Sequence, residues 1–319
     1  MFRTAVLGAS GQISKGLISE LSPFHELYLF SREPKSVHTF LERMGIEGKV
    51  YSYGDFPRFH YDVVINATGP GDPRTIRENT SEVLRVTEFF DNLVLDYLVE
   101  NPGTLYIFLS SGAIYRNGYQ RRVGRDAICE IPLNHFSEDL IYPLAKICAE
   151  VKHRSLARFK IADVRIFGYF SRYIDLSGGF FLSQAGQALV SGERFRTPRT
   201  NFVRDYVCAD ELARLLDCIL KSDGWNAAYD LVSAAPVSKA RLLERMIELF
   251  DLEVEIEGSG TWEFEAVEEP KSLGYDGMTR AIDYAPRFTS MEIVEREMRA
   301  IIEAHDRDSR RAGKRARRR

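Results

Sequence analysis

The chain has 319 residues, 45% apolar and 28% charged, which is the balance of an ordinary water-soluble protein with room for one sizeable α/β domain and a smaller lobe. Seven basic residues fall within 310–319 and leave the rest of the chain at −10 against −3 overall; an acidic body argues against a broad nucleic-acid surface. No apolar run reaches membrane-spanning length and no signal-peptide pattern opens the chain, so a soluble cytoplasmic protein is expected.

Apolar runs of strand length alternate with longer stretches of helical period, the pattern of βαβ units and a parallel sheet. Strands are predicted at 4–7, 26–30, 62–66, 104–109 and 161–166. Between the first two lies Gly8-Ala9-Ser10-Gly11-Gln12-Ile13-Ser14, directly after a strand and opening a helix. Glycines at such a turn let the backbone approach a pyrophosphate, whose charge then rests on the helix N-terminal amides. Ser14 stands where a third glycine usually permits close helix packing; either the helix sits farther out or the serine touches a phosphate. The first half thus reads as a Rossmann-type, doubly wound dinucleotide-binding domain, residues 1–170, with about 200–235 returning to it.

The second strand ends in Leu29-Phe30-Ser31-Arg32. A binder of NAD places an acid there for the ribose hydroxyls, whereas a hydroxyl followed by a guanidinium suits the extra phosphate of NADP. NADP(H) is favoured and NAD(H) stays possible, because Glu33 is able to supply the acid. Asp55 is read either as an adenine contact or as a turn residue. A single long helix is predicted over 74–99.

Next come Leu109-Ser110-Ser111-Gly112-Ala113-Ile114-Tyr115 and then Tyr142-Pro143-Leu144-Ala145-Lys146, the one Tyr-x-x-x-Lys in the chain. That spacing puts phenol and ammonium on one helix face, and a neighbouring ammonium stabilises a phenolate. After about residue 171 the alternation gives way to Gly-rich and Arg-rich stretches, which suggests a smaller C-terminal substrate-binding lobe over 171–305. The basic stretch 306–319 lacks apolar anchors and is expected to be disordered, either solvated or touching an anionic partner. Cys129, Cys148, Cys208 and Cys218 have neither the spacing nor the nearby histidines of a metal site, so no metal is expected.

With these motifs in order, the chain resembles the extended short-chain dehydrogenases/reductases, the NAD(P)-dependent sugar epimerase/dehydratase family. The resemblance covers roughly residues 1–300, and the last of its motifs is Arg204-Asp205-Tyr206-Val207-Cys208-Ala209-Asp210-Glu211. It implies Ser111, Tyr142 and Lys146 as the catalytic triad. It implies cofactor contacts from Gly8, Ser10, Gly11, Gln12, Ile13, Ser31, Arg32, Asp55, Ala67, Thr68, Gly69 and Lys146. For a nucleotide-sugar substrate it implies Arg204, with Arg172 and the cations Arg194, Arg196 and Arg199 as further candidates and Asn92, or in competition Asn79, as a supporting amide. Phe180 and Phe181 are read either as base-stacking or as core residues. A homodimer through helices at 74–99 and 142–158 follows from the resemblance alone.

Two departures narrow the chemistry. Dehydratases of the family carry Asp-Glu after the catalytic hydroxyl, whereas this chain has Gly112-Ala113, which cannot move a proton. After Val164-Arg165-Ile166-Phe167 the family has Asn, and here Gly168 stands, so the usual substrate pose is in question. The expected function is an NADPH-dependent reductase of a 4-keto nucleotide sugar. The alternatives are an NAD-dependent nucleotide-sugar epimerase, which would keep its coenzyme, and a non-catalytic NAD(P)-binding regulator, which would show no turnover.

Overall fold

In the computed structural model, residues 1–71, 73–115, 127–132, 134–135, 137–222, 226–257 and 282–316 are described. Strands β1 (Phe2–Leu7), β2 (His25–Phe30), β3 (Lys49–Tyr51), β4 (Val63–Asn66), β5 (Leu105–Ser111), β6 (Ile161–Ile166) and, much later, β9 (Ala227–Leu231) form one sheet. Its order is β3-β2-β1-β4-β5-β6-β9 and every pairing is parallel. The apolar, β-branched runs suit strands covered on both faces, as a parallel sheet requires.

Helices α1 (Gln12–Leu21), α2 (Pro34–Met44) and α7 (Ala209–Lys221) bury their apolar stripes on one face, with Leu17, Ile18, Phe40, Leu212 and Leu216 against Val6, Ile65 and Val164. Helices α4 (Thr80–Glu100) and α5 (Ile141–Ser155) cover the other, where Val94, Leu98 and Ala149 meet Tyr106 and Phe108. The predicted 74–99 helix is in fact two pieces. Short α3 (Pro73–Glu78) is separated from α4 by Asn79, whose φ of −131° and ψ of 45° lie off the helical region.

A third core forms the lobe. Helices α6 (Phe181–Ser191), α8 (Lys239–Phe250) and α9 (Ser290–Ala316) close over Phe170, Phe195, Leu243, Val294 and Met298. Two small ribbons join it: β7 (Phe195–Pro198) with β11 (Val254–Glu257), and β8 (Val203–Arg204) with β10 (Val237–Ser238). The stretch expected to be disordered from 306 is instead helical through Ala316, since α9 continues past its last buried residues; 317–319 lie outside the described residues. Arg, Ala and Lys are good helix formers, and extending an existing helix avoids the cost of nucleation. Among the described residues, no helix is long and apolar enough to cross a membrane.

Close packing of α1 is not supplied at Ser14 but two residues on. A Cβ at Gly16 would overlap the Tyr169 hydroxyl and lie 2.7 Å from the Ala209 Cβ, so only glycine lets α1 settle against α7 and the β6 extension.

Candidate active site

The strand order reverses between β1 and β4, and ligands of doubly wound sheets bind outside the carboxyl ends at such a point. Here Gly8 turns the chain with φ +82°, and a Cβ on it would lie 2.8 Å from the Ala67 oxygen at the end of β4. The amides of Gly8 and Ala9 both donate to the Phe30 carbonyl. Gly11 caps α1 without a side-chain bond, which leaves first-turn amides facing the crevice. Ser14 is fully buried and among the described residues its hydroxyl has no hydrogen-bond partner, an orphan that a phosphate oxygen would satisfy. These features fit a dinucleotide.

Ser31 is buried at the end of β2; its hydroxyl donates to Ser10 Oγ at 3.2 Å and accepts from the Glu33 amide at 3.1 Å. Arg32 is exposed beside Tyr53, and among the described residues it has no ion-pair partner. Asp55 is engaged by the Ser52 hydroxyl at 2.8 Å and by Arg58 at 2.5 Å, so its carboxylate is committed to its own turn.

Beyond the loop opens a cavity of about 800 Å³. Gln12, Ile13, Ala67, Thr68 and Gly69 line its cofactor side, Ser111, Tyr142 and Lys146 its centre, and Phe180, Phe181, Phe202, Arg204 and Tyr206 its lobe side. Of these, Phe181 also packs edge-on against Phe195 and Phe202, so it serves the lobe core as well. Ser111 is the last residue of β5, and its Oγ accepts from the Ala113 amide at 3.2 Å.

Lys146 lies one turn below Tyr142, with Nζ 5.9 Å from the Tyr142 ring centroid and 4.5 Å from that of Phe108. It donates to the Leu109 carbonyl at 2.9 Å. Burial pushes its ammonium down to about 8, and the more distant charges of Asp91, Glu150 and Asp163 oppose that fall. A lysine so poised stays mostly charged at neutral pH, yet is near enough to its pKa to respond to a neighbouring phenol.

Underneath runs a buried chain that the sequence did not reveal. His153 on α5 bridges Asp91 on α4 at 2.7 Å and Asp163 on β6 at 2.6 Å. Tyr106 donates to Asp91 at 2.9 Å, Lys152 reaches its second oxygen at 2.7 Å, and Arg154 binds Asp163. Burial alone would lower the His153 pKa, but the hydrogen bonds to Asp163 and Asp91 raise it to about 9. This charged clamp fixes the helix that carries Tyr142 and Lys146.

Several other sequence candidates are not brought to the cavity. Asn92 is exposed on the outer side of α4 and accepts from Lys152 at 2.7 Å; the helix turn directs Asp91 inward instead. Asn79 sits at the break before α4. Arg172 forms a two-pronged ion pair with Glu297 on α9, both bonds 2.9 Å, and so ties the lobe together. Arg194 and Arg196 pair with Glu253 and Glu255 along the β7–β11 ribbon, and Arg199 does not line the cavity.

The two departures noted in the sequence have steric causes. A Cβ on Gly112 would lie 2.7 Å from the Phe167 ring, which stacks on Tyr115, so an acid cannot stand there without displacing both. A Cβ on Gly168 would overlap the Asp205 carbonyl, because the Val207 amide donates to the Gly168 oxygen at 2.9 Å and draws 205–207 onto the end of β6. Asp205 is itself buried there, its pKa pushed up by burial to about 7, with one oxygen accepting from the Ser233 amide.

A parallel, doubly wound sheet with a glycine turn at its switch point and a Ser/Tyr/Lys-lined cavity beneath a lobe defines a Rossmann-type α/β protein. The family model described as the NAD dependent epimerase/dehydratase family matches residues 4–230, more than half of the chain, and the protein belongs to that family. Among solved structures it resembles the UDP-glucose 4-epimerase of Thermotoga maritima with UDP-glucose, at 15% identity and a TM-score of 0.77, covering 95% of this chain and 99% of the other. It also resembles the Stenotrophomonas maltophila UDP-glucose-4-epimerase with bound NAD and formylated UDP-arabinopyranose (14%, TM-score 0.74, covering 97% and 99%). The Bacillus anthracis dTDP-glucose 4,6-dehydratase in complex with NAD is a further likeness (12%, TM-score 0.73, covering 96% and 98%). No curated protein matches.

Proposed function

We propose that this protein is an NAD(P)-dependent nucleotide-sugar epimerase acting at a ring carbinol carbon. The observation that carries the reading is the convergence of Ser111, Tyr142 and Lys146 on one cavity that is also lined by Gln12 and Ile13, the first residues of α1 after the glycine turn. The family assignment and the epimerases among the similar structures support epimerase chemistry, while the steric exclusion of an acid at Gly112 speaks against dehydration.

The dinucleotide would lie along Gly8–Gly11, Ser14 and the ends of β2 and β4, and when bound supplies hydride acceptance and return. Tyr142 takes the proton from the substrate hydroxyl and gives it back, Lys146 stabilises the phenolate, and Ser111 holds the substrate oxygen. Arg204, whose guanidinium lies over the Phe202 ring at 5.1 Å, forks onto the substrate's diphosphate in this reading.

Mass spectrometry of the purified protein tests the epimerase reading. It predicts stoichiometric, tightly held dinucleotide and interconversion of sugar epimers with no net coenzyme use; net consumption of NADPH with a 4-keto nucleotide sugar would replace it with the reductase reading. One observation favours that second reading, the Ser31–Arg32 end of β2. If Arg32 meets a 2′-phosphate, Arg32→Gln should weaken NADPH about 10-fold and leave NADH unchanged in calorimetric titrations. Equal losses for both would assign Arg32 no selective part.

A second copy of the chain is the partner we propose for the outer faces of α4 and α5, where Phe89 and Val151 are 60% and 64% exposed. Light scattering should give a dimer for the native chain and a monomer for the Phe89→Glu/Val151→Glu protein. A native monomer would refute it.

A further inference from the structure

The described residues lining the cavity include three cations, Arg77, Lys146 and Arg204, against one carboxylate, Asp139. In a chain whose body is acidic, that is a local reversal of sign. Two of the three cations already have work: Lys146 is held on the Leu109 carbonyl beside Tyr142, and Arg204 faces the cavity from the lobe. Arg77 is left over. It stands on α3, on the wall formed by Gly69, Gly71 and Ile76, and among the described residues it has no ion-pair partner.

Its position is built rather than incidental. Arg74, one turn earlier, donates to the Ser177 carbonyl and packs so closely on Gly179 that a Cβ there would lie 2.9 Å from Arg74 Nε. Short α3, which follows central β4, is therefore docked onto the lobe, and Arg77 is held against the cavity. A guanidinium in such a wall gains most from an acceptor that matches its fork, a carboxylate or a phosphate.

We propose that Arg77 reads a carboxylate on the substrate's sugar, so that the substrate class is a nucleotide-linked uronic acid. The inference rests on the nucleotide-sugar reading of the same cavity. In that reading the substrate's diphosphate goes to Arg204, and the ring lies at Ser111 and Tyr142 with its far substituent toward α3.

The test is calorimetric titration of the full chain, saturated with its dinucleotide, against UDP-glucuronate and UDP-glucose. Native protein should bind the glucuronate about 10-fold more tightly, and the margin should shrink with added salt. Arg77→Gln should erase the margin while UDP-glucose affinity holds, and Arg77→Lys should restore part of it. Equal native affinities, or a margin that survives Arg77→Gln, would overturn the proposal and leave the nucleotide-sugar reading standing. Failure of both sugars to bind the native protein would instead overturn that reading and the proposal with it. Arg77→Gln that weakens the dinucleotide rather than the glucuronate would assign the guanidinium to the cofactor's phosphates and also overturn the proposal.

Discussion

Replacing Tyr142 with Phe should lower turnover about 10²- to 10⁴-fold while dinucleotide affinity stays within twofold. The substitution keeps the ring that lies 5.9 Å from Lys146 Nζ and removes only the hydroxyl, so packing on α5 is retained and the proton shuttle is lost. The pH dependence provides a second reading of the same site. Burial holds the Lys146 ammonium at about 8, so activity that needs this charge should decline as pH rises through that value. A bound nucleotide sugar would shift the limb, which is why both the free protein and the complex should be profiled. A Tyr142→Phe protein that retains a tenth or more of native turnover would place the proton transfer on another group.

The largest effect on stability is expected at His153. Its imidazolium joins two carboxylates that have no access to solvent, Asp91 and Asp163, and His153→Leu would leave both with fewer partners in the core. Breaking a buried ionic cluster by deleting one member costs about 3–5 kcal/mol, and denaturant unfolding should show a loss in that range. The sign of the pH dependence follows from the raised pKa. A histidine near 6.5 when unfolded and at about 9 when folded contributes its full stability below about 6.5 and loses it as pH rises through 9. Native protein should therefore lose melting temperature between pH 7 and 9.5 more steeply than His153→Gln. Parallel pH profiles for the two would show that the clamp is not charged.

Which features were legible in the sequence follows from how local their signals are. Gly8 and Gly11 sit between a buried strand and a helix, so the turn is prescribed by its neighbours in sequence, and the alternation of strand and helix signals gives the doubly wound sheet. Tyr142 and Lys146 share a helix face because four residues make about one turn. Arg172 and Asn92 failed for the opposite reason. Whether a guanidinium meets phosphate or Glu297 depends on how α9, over a hundred residues later, packs on the lobe. Asn92 is a single residue from buried Asp91, and only the rotation of α4 against α5 decides which of them points inward. The Asp91–His153–Asp163 clamp draws on three separate elements, with no spacing that would announce it. The break at Asn79 was hidden by helical periodicity that runs on both sides of it.

The return of the chain from lobe to sheet has a consequence for how the molecule can be divided. After α6, β7 and β8 have contributed to the lobe, the chain goes back to lay α7 over α1 and β9 beside β6, then leaves again for α8 and α9. Floor and roof of the cavity are thus woven from alternating passes of a single thread. No one cut frees the sheet half intact, since a break after β6 takes away the sheet's last strand and the helix against which Gly16 is fitted. The lobe is therefore not a detachable module; any exchange that retunes it must preserve each of these crossings.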